Sequence, residues 1–384
     1  MNVLFDARCI STVPSGSSVY VRELLRRLPA LAEDWTWQIL FRDQATASQV
    51  LADVLPDGRD NVRATILPYT FASLFGKIKL ASILLSQNCD LYFSPIIANS
   101  FFATRGFKGH CRATVVAVHN HPDKDLSSPV KSLLKRYCLW QAANNCTAII
   151  AVSRALRTDI IKSLHLSNKV AGRIKCVYSG VSTAFSPSPV PRKEAKTKVI
   201  LYVGNQRPYK NIVTLIRAFN ELRRTAKTPL HLLLIGPESA DSRQIRNLVR
   251  DLGLADNVTF AQETTEADLL SAYREASLLV SPSSYEGFSF PLLEAMRCGT
   301  PVVCCDGGAQ AELVGDAAEP VQPADMQSLC NAMKHILEDA GFREKSVRAG
   351  LAKAAEFSWD KTAAETLAVF RATVAGKTRN GGAQ

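Results

Sequence analysis

Apolar residues along this chain keep two alternating rhythms. Short unbroken runs, the mark of strands covered on both faces, trade places with longer stretches whose apolar positions recur every three to four residues, as on amphipathic helices. The runs predict strands over residues 3–7, 37–41, 62–67, 90–95, 112–118, 148–152 and 175–178 in the first half, and over 198–204, 230–235, 258–260, 276–280 and 301–305 in the second. Between them the period predicts helices, among them 19–31, with Tyr20, Leu24, Leu25 and Leu28 on one face, then 69–85, a basic helix with Lys131, Lys135 and Arg136, then 154–164, 212–226, 243–252, 266–276, 291–297, 325–338 and 342–356. A last helix ends near residue 374. Strand and helix alternating in this way predict an α/β fold with parallel sheets.

At 384 residues the chain is long for one core, and two domains are expected. The pattern breaks between 182 and 198, where Pro187, Pro189 and Pro191 run together with Arg192, Lys193, Lys196 and Lys198, so a linker is placed there. The expected division is 1–185, 186–357, a C-terminal helix over 358–375 that packs back on the first domain, and a tail over 376–384.

Composition narrows the picture. With 47% hydrophobic residues and no apolar run near the 18 to 20 residues that span a bilayer, a transmembrane helix is not expected. The start runs into Asp6 and Arg8 without a basic segment or apolar stretch, so a secretory leader is not expected either and a cytoplasmic setting is. Ten cysteines form no C-x-x-C pair and join no histidines at zinc-ligand spacing, and they are expected to be reduced. The net charge of +11 implies an anionic partner. Nucleic acid, an anionic membrane surface and a phosphorylated small molecule all qualify, although no aromatic-interleaved basic motif favours nucleic acid. The stretch 69–85 sets Phe71, Leu74 and Phe75 beside Lys77 and Lys79, which fits a membrane surface or a half-buried helix with a solvated basic edge.

Candidate chemistry gathers at strand-to-helix crossings. After the strand over 276–280, Gly287 lets the backbone turn and Pro291 suits a first helical turn, so Glu286 lies on the loop and Glu294 just inside the helix. A helix N-terminus there offers unpaired N–H groups to a phosphate, with two acids able to grip hydroxyls. First-turn glutamates also occur simply to offset the helix dipole. After the strand ending at Gly204, Arg207 and Lys210 stand before another helix, a planar fork and a point charge for an anion. In the first half, Gly16 lies in a small-residue loop over 14–18, and His119 follows a strand's C-terminal end. Asp123 and Asp125 make a D-x-D, which can hold a divalent metal but here has Lys124 between the acids and reads as surface charge.

These features, several in one order, resemble the retaining glycosyltransferases of family 4 with the GT-B architecture, two Rossmann-like domains facing each other across a cleft. The resemblance covers nearly the whole chain. It is strongest over 199–315, where the stretch from Gly204 through Arg207 and Lys210 to Asn211, and that from Glu286 to Met296, match the family's donor-site patterns. It implies that Arg207 and Lys210 bind the donor diphosphate, that Glu286 lies near the transferred sugar, that Glu294 holds the ribose, and that the backbone of Gly287, Phe288 and Ser289 faces sugar and phosphates. It also implies that His119 reaches the donor sugar from the other domain, although Asn120 stands where an Asp is frequent. Where the family's first loop has two glycines and an arginine, this chain has Gly16, Ser18 and Val19.

The implied activity is metal-independent transfer of a hexose, with GDP-mannose the favoured donor and a UDP-sugar the alternative, to a glycan or lipid-linked glycan. A peripheral contact with the anionic inner membrane surface belongs to the same expectation. Acceptor attack from the face of the departing phosphate would require no enzymic general base. A sugar-nucleotide epimerase and a non-catalytic nucleotide-sugar-binding protein are the rival readings.

Overall fold

The computed structural model describes residues 1–10, 15–68, 78–80, 82–83, 89–97, 111–121, 129–190, 196–262, 265–318 and 320–378. The stretch 69–85 lies largely outside them, as do Asp123, Asp125 and residues 191–195 of the expected linker. The chain forms two compact units, Met1–Gly180 with Trp359–Gln384, and Val181–Ser358.

The first unit is built on β1 (Asn2–Asp6), β2 (Thr36–Phe41), β3 (Val62–Ile66), β4 (Cys89–Ser94), β5 (Cys111–Val118), β6 (Ala148–Ala151) and β7 (Ile174–Cys176). Every pairing is parallel, in the order β3-β2-β1-β4-β5-β6-β7. The described helices are α1 (Gly16–Leu31), α2 (Gln44–Val54), α3 (Pro129–Asn145), α4 (Arg154–Ser163), the single turn α5 (Asn168–Ala171) and, after the second unit, α13 (Trp359–Thr378). The C-terminal helix α13 packs on α1, with the rings of Tyr20 and Trp359 6.1 Å apart and Arg27 Nε donating to Asp360 Oδ1 at 2.6 Å. It runs on to Thr378, so residues 376–378, expected in the tail, are helical.

The second unit carries β8 (Lys198–Val203), β9 (Leu230–Ile235), β10 (Val258–Ala261), β11 (Leu278–Ser281) and β12 (Val302–Cys304), all parallel, in the order β10-β9-β8-β11-β12. Its helices are α6 (Ile212–Thr225), α7 (Ser242–Asp251), α8 (Glu266–Glu275), α9 (Phe290–Arg297), α10 (Gln310–Val314), α11 (Met326–Glu338) and α12 (Ala340–Ala355). Leu215, Ile216, Phe219 and Leu222 line the inner stripe of α6 and close on Ile200, Leu232 and Leu278 of the sheet, which is why these strands read as continuous apolar runs. Each such fully buried side chain contributes about 1.5–3 kcal/mol. Among the described residues no helix is long and apolar enough to cross a membrane.

Strand order reverses once in each sheet, between β1 and β4 in the first unit and between β8 and β11 in the second. Loops leaving adjacent strands there turn to opposite faces and open a crevice at the C-terminal edge, where α/β sheets bind ligands.

Candidate functional site

The second unit's reversal brings together the two loops that hold most of the predicted residues. Leaving β8, the chain passes through Gly204 and makes a short 3-10 turn at Pro208–Lys210. Leaving β11, it runs through Glu286 into α9. The loops are tied by backbone and side chain: Ser284 N and Oγ donate to Tyr209 O at 2.8 and 3.1 Å, and Asn211 Nδ2 donates to Pro282 O at 3.1 Å. Between them Lys210 Nζ meets Glu286 Oε1 at 2.5 Å, with the side chains 14% and 8% exposed. Burial works most strongly against the Lys210 charge, but the Glu286 carboxylate and Tyr209 together outweigh it, and the ammonium's pKa is raised.

Glycines allow this close approach. Gly308 has φ +65°, and a Cβ there would stand 2.2 Å from Glu286 O. The loop Gly307–Ala309 therefore lies flat against Glu286, bonding Glu286 N to Gly307 O at 3.2 Å and Ala309 N to Glu286 O at 2.8 Å. Gly204, with φ +150°, ends β8 so near the neighbouring turn that a Cβ on Gly236 would lie 2.2 Å from Gly204 O. Buried Gln310 completes the support. It accepts from Ser281 Oγ at 2.6 Å and donates to Ser283 O at 2.9 Å.

Two helix N-termini open at this corner. Side-chain oxygens cap α1, α2, α4, α8, α11 and α12. By contrast α6 and α9, like α7, have no side-chain cap bond. The residue before α6, Asn211, adopts φ +52° and spends its amide on Pro282 instead. First-turn N–H groups left without a side-chain cap are anion donors.

Glu294 lies on α9, half-buried, and Tyr273 of α8 donates its hydroxyl to Glu294 Oε2 at 2.6 Å. Burial raises the Glu294 pKa to about 7; the Tyr273 bond holds it down in part, while Glu266 adds to the rise. Gly287, Phe288 and Ser289 form the buried turn ahead of α9. Arg207 differs from its expected partner: it is exposed, and its guanidinium makes no hydrogen bond or ion pair among the described residues.

In the first unit, His119 follows β5, half-buried, with its ring edge-on to Tyr20 of α1 at 4.7 Å. Its Nε2 is shut from solvent without a hydrogen-bond partner among the described residues, and burial lowers its pKa to about 4. Gly16 is exposed one turn before Tyr20, inside the first turn of α1 rather than in a loop. The physical reason is Ser15, whose Oγ accepts from Ser18 N at 3.2 Å and starts the helix three residues earlier than its apolar stripe does.

Sequence reasoning missed Tyr273, Gln310 and the Asn211 turn. Tyr273 reads as one more apolar position of its helix. A glutamine behind two glycines at 307–308 was the available signal for Gln310.

Comparison with known proteins agrees with this architecture. The family described as Glycosyltransferase Family 4 matches residues 14–185, and that described as Glycosyl transferases group 1 matches residues 188–353. The O-antigen chain mannosyltransferase B of Escherichia coli is 31% identical over 241 residues, 61% of this chain and 62% of that protein. The matched region thus spans less than two thirds of that relative's length. Sucrose-phosphate synthase from Thermosynechococcus elongatus shares the fold at TM-score 0.79 and 19% identity, over 98% of this chain and 99% of that one. Anabaena HepE, solved with UDP and glucose, does so at TM-score 0.76 and 19% identity, over 96% and 99%. With one glycosyltransferase family matched across each half, on two Rossmann-like units of the GT-B kind, the chain belongs to the family 4 glycosyltransferases.

Proposed function

We propose that the protein is a retaining hexosyltransferase that moves mannose from GDP-mannose to a glycan or lipid-linked glycan acceptor. The observation that carries the reading is the Lys210–Glu286 pair at the β8/β11 reversal, between two helix N-termini without side-chain caps. The mannosyltransferase relative supports the sugar.

In the proposed reaction the bond from the anomeric carbon to the diphosphate oxygen breaks and its electron pair leaves with GDP. The acceptor oxygen bonds the same carbon on the same face, and its proton passes to the departing phosphate. Negative charge growing on that phosphate is met by Lys210, by Arg207 and by the first-turn N–H groups of α6 and α9, so the reading requires no metal. Glu286, held ready by Lys210, accepts hydrogen bonds from sugar hydroxyls as the ammonium turns to the diphosphate. Glu294 takes the ribose hydroxyls. With its pKa near 4, His119 is neutral at pH 7, which suits a hydrogen-bonding partner for the sugar and not a cation.

A second reading keeps the chemistry and changes the donor to a UDP-sugar, favoured by the likeness to a fold solved with UDP and glucose. Calorimetry with GDP, UDP and ADP separates the donors. Product analysis with a glycan acceptor then separates transfer from epimerisation, which consumes no acceptor, and from binding without turnover. Lys210→Ala and Glu286→Ala are each expected to abolish measurable transfer, a loss of at least about 10²–10³-fold. Near-normal turnover in both folded variants overturns the assignment.

A further inference from the structure

Two of the ten cysteines meet across neighbouring strands. Cys89 opens β4 and Cys111 opens β5, and the two are register partners in that parallel pair. Partners on adjacent strands stand about 4.7–4.9 Å apart along the hydrogen-bonding direction, inside the Cα spacing a disulfide tolerates, and their side chains leave the same face. The Sγ atoms of Cys89 and Cys111, both thiols, lie 3.5 Å apart. Closing that contact to a bond of about 2.0 Å is within reach of side-chain rotation with the register kept.

A cysteine that serves only as a small core hydrophobe has no need of a second sulfur beside it. The two sulfurs also differ in surroundings. Cys89 is 4% exposed and packs with Leu4, Leu40 and Tyr92, whereas Cys111 is half-buried at the rim of that cluster. Contact with Cys111, and burial after it, raise the Cys89 pKa, so Cys89 rests as the thiol. A small oxidant thus meets Cys111 first, with a second sulfur already in contact behind it. Because both residues begin their strands, the pair lies at the N-terminal edge of the sheet, away from the crevice at its C-terminal edge.

We propose that Cys89 and Cys111 are a redox-active dithiol, closed to a disulfide by peroxide and reopened by thiols, that staples β4 to β5. In the forward step the Cys111 sulfur attacks one peroxide oxygen and the O–O bond breaks, leaving a sulfenic acid on Cys111 and one water. The Cys89 sulfur then bonds the Cys111 sulfur, the S–O bond breaks, and a second water leaves with the Cys89 proton. Two thiols lose two electrons, and hydrogen peroxide is reduced to two waters. Two equivalents of a small thiol reverse the step by exchange and leave as their own disulfide. Closing the loop between positions 22 apart lowers the entropy of the unfolded chain, so the oxidised protein should melt at a higher temperature. The site does not depend on the donor reading.

The whole chain is treated with hydrogen peroxide under native conditions, remaining thiols are blocked with iodoacetamide, and tryptic peptides are weighed without reduction. Cleavage at Lys79, Arg105, Lys108 and Arg112 puts Cys89 in 80–105 and Cys111 in 109–112, each with a single cysteine, so a link between the two peptides identifies the pair. The expected result is this linked species, lighter by two hydrogens than its parts, as the main disulfide. It should vanish after dithiothreitol and be missing in Cys89→Ala, where dimedone labels the Cys111 sulfenic acid instead. Peroxide should raise the melting temperature of the wild type by a few degrees and leave that of Cys89→Ala unmoved. Three outcomes overturn the proposal. They are no link between these peptides in the native protein, Cys111 joined mainly to another cysteine, or a linked protein that melts no higher than the reduced one. Mass and melting temperature are the readouts, so none of these outcomes touches the assignment of sugar transfer.

Discussion

Both units reverse strand order at the same place in their sheets, yet they fill that place in opposite ways. At the β1/β4 reversal of the first unit, Asp6 is wholly buried and Arg8 is 5% exposed. Arg8 Nη2 and Nε grip Asp6 Oδ2 and Oδ1 at 2.6 and 2.8 Å, and Tyr92 Oη donates to Oδ2 at 2.9 Å. The carboxylate is saturated by a bidentate guanidinium and a phenol. At the β8/β11 reversal of the second unit, the pair is a single Lys–Glu contact in reach of solvent. A planar fork locked on a carboxylate is a structural clamp, whereas an ammonium held by one bond can be given up to a ligand. One crevice is sealed by its ion pair and the other is kept ready by it.

The sharpest way to break this comparison is to remove the acid from each. Asp6→Ala strands a buried guanidinium and should cost about 3–5 kcal/mol, read as a large drop in melting temperature, with transfer per folded molecule retained. Glu286→Ala should do the reverse, folding by circular dichroism and losing transfer. If Asp6→Ala proves thermally silent and inactive, the first crevice is a working site and the contrast fails.

A smaller effect tests His119. Its pKa near 4 lies below the ordinary 6.5, so the unfolded chain takes up the proton first. Its contribution to stability is present above pH 6.5 and is lost as pH falls through 4. His119→Phe keeps a ring against Tyr20 and removes the titration, so it should flatten the acid side of the melting-temperature profile between pH 6.5 and 4. An unchanged acid limb would place the ring in solvent.

How far the sequence carries depends on whether a signal is local. The strand runs, the α6 stripe and the Glu286–Pro291 turn state their structure within a few residues. The pairing of Lys210 with Glu286 is written 76 residues apart and becomes visible only when strand order sets β8 beside β11. Tyr273 is lost in a helical pattern because its ring does the work of a core residue and only its hydroxyl reaches Glu294. Gly16 misled for a local reason, since small polar residues suit both a loop and a first helical turn, and the Ser15 cap decides between them. Arg207 and Lys210 look equivalent as two cations three residues apart on one loop, but only the lysine reaches across to Glu286 on the partner loop, while Arg207 stays exposed.

The finest distinction concerns Glu294 and its tyrosine. A carboxyl with a pKa near 7 is raised above its ordinary 4.5, so folding favours its protonated form. Its contribution to stability is greatest below pH 4.5 and is lost as pH rises through 7. Ribose hydroxyls are better held by the carboxylate, which accepts with both oxygens, than by the acid. Donor affinity should therefore rise from pH 6 to pH 8. A sugar diphosphate diester has no titration of its own in that range, so GDP-mannose isolates the effect in a way that GDP would not. The expected gain is a few-fold by calorimetry, and Glu294→Gln should abolish the pH dependence. Tyr273→Phe removes the one bond that holds the pKa down, so the rise should move to higher pH while turnover at saturating donor stays nearly unchanged. A pH profile identical in wild type and Tyr273→Phe would mean that Glu294 never meets the donor, leaving the Lys210–Glu286 pair to carry the open crevice alone.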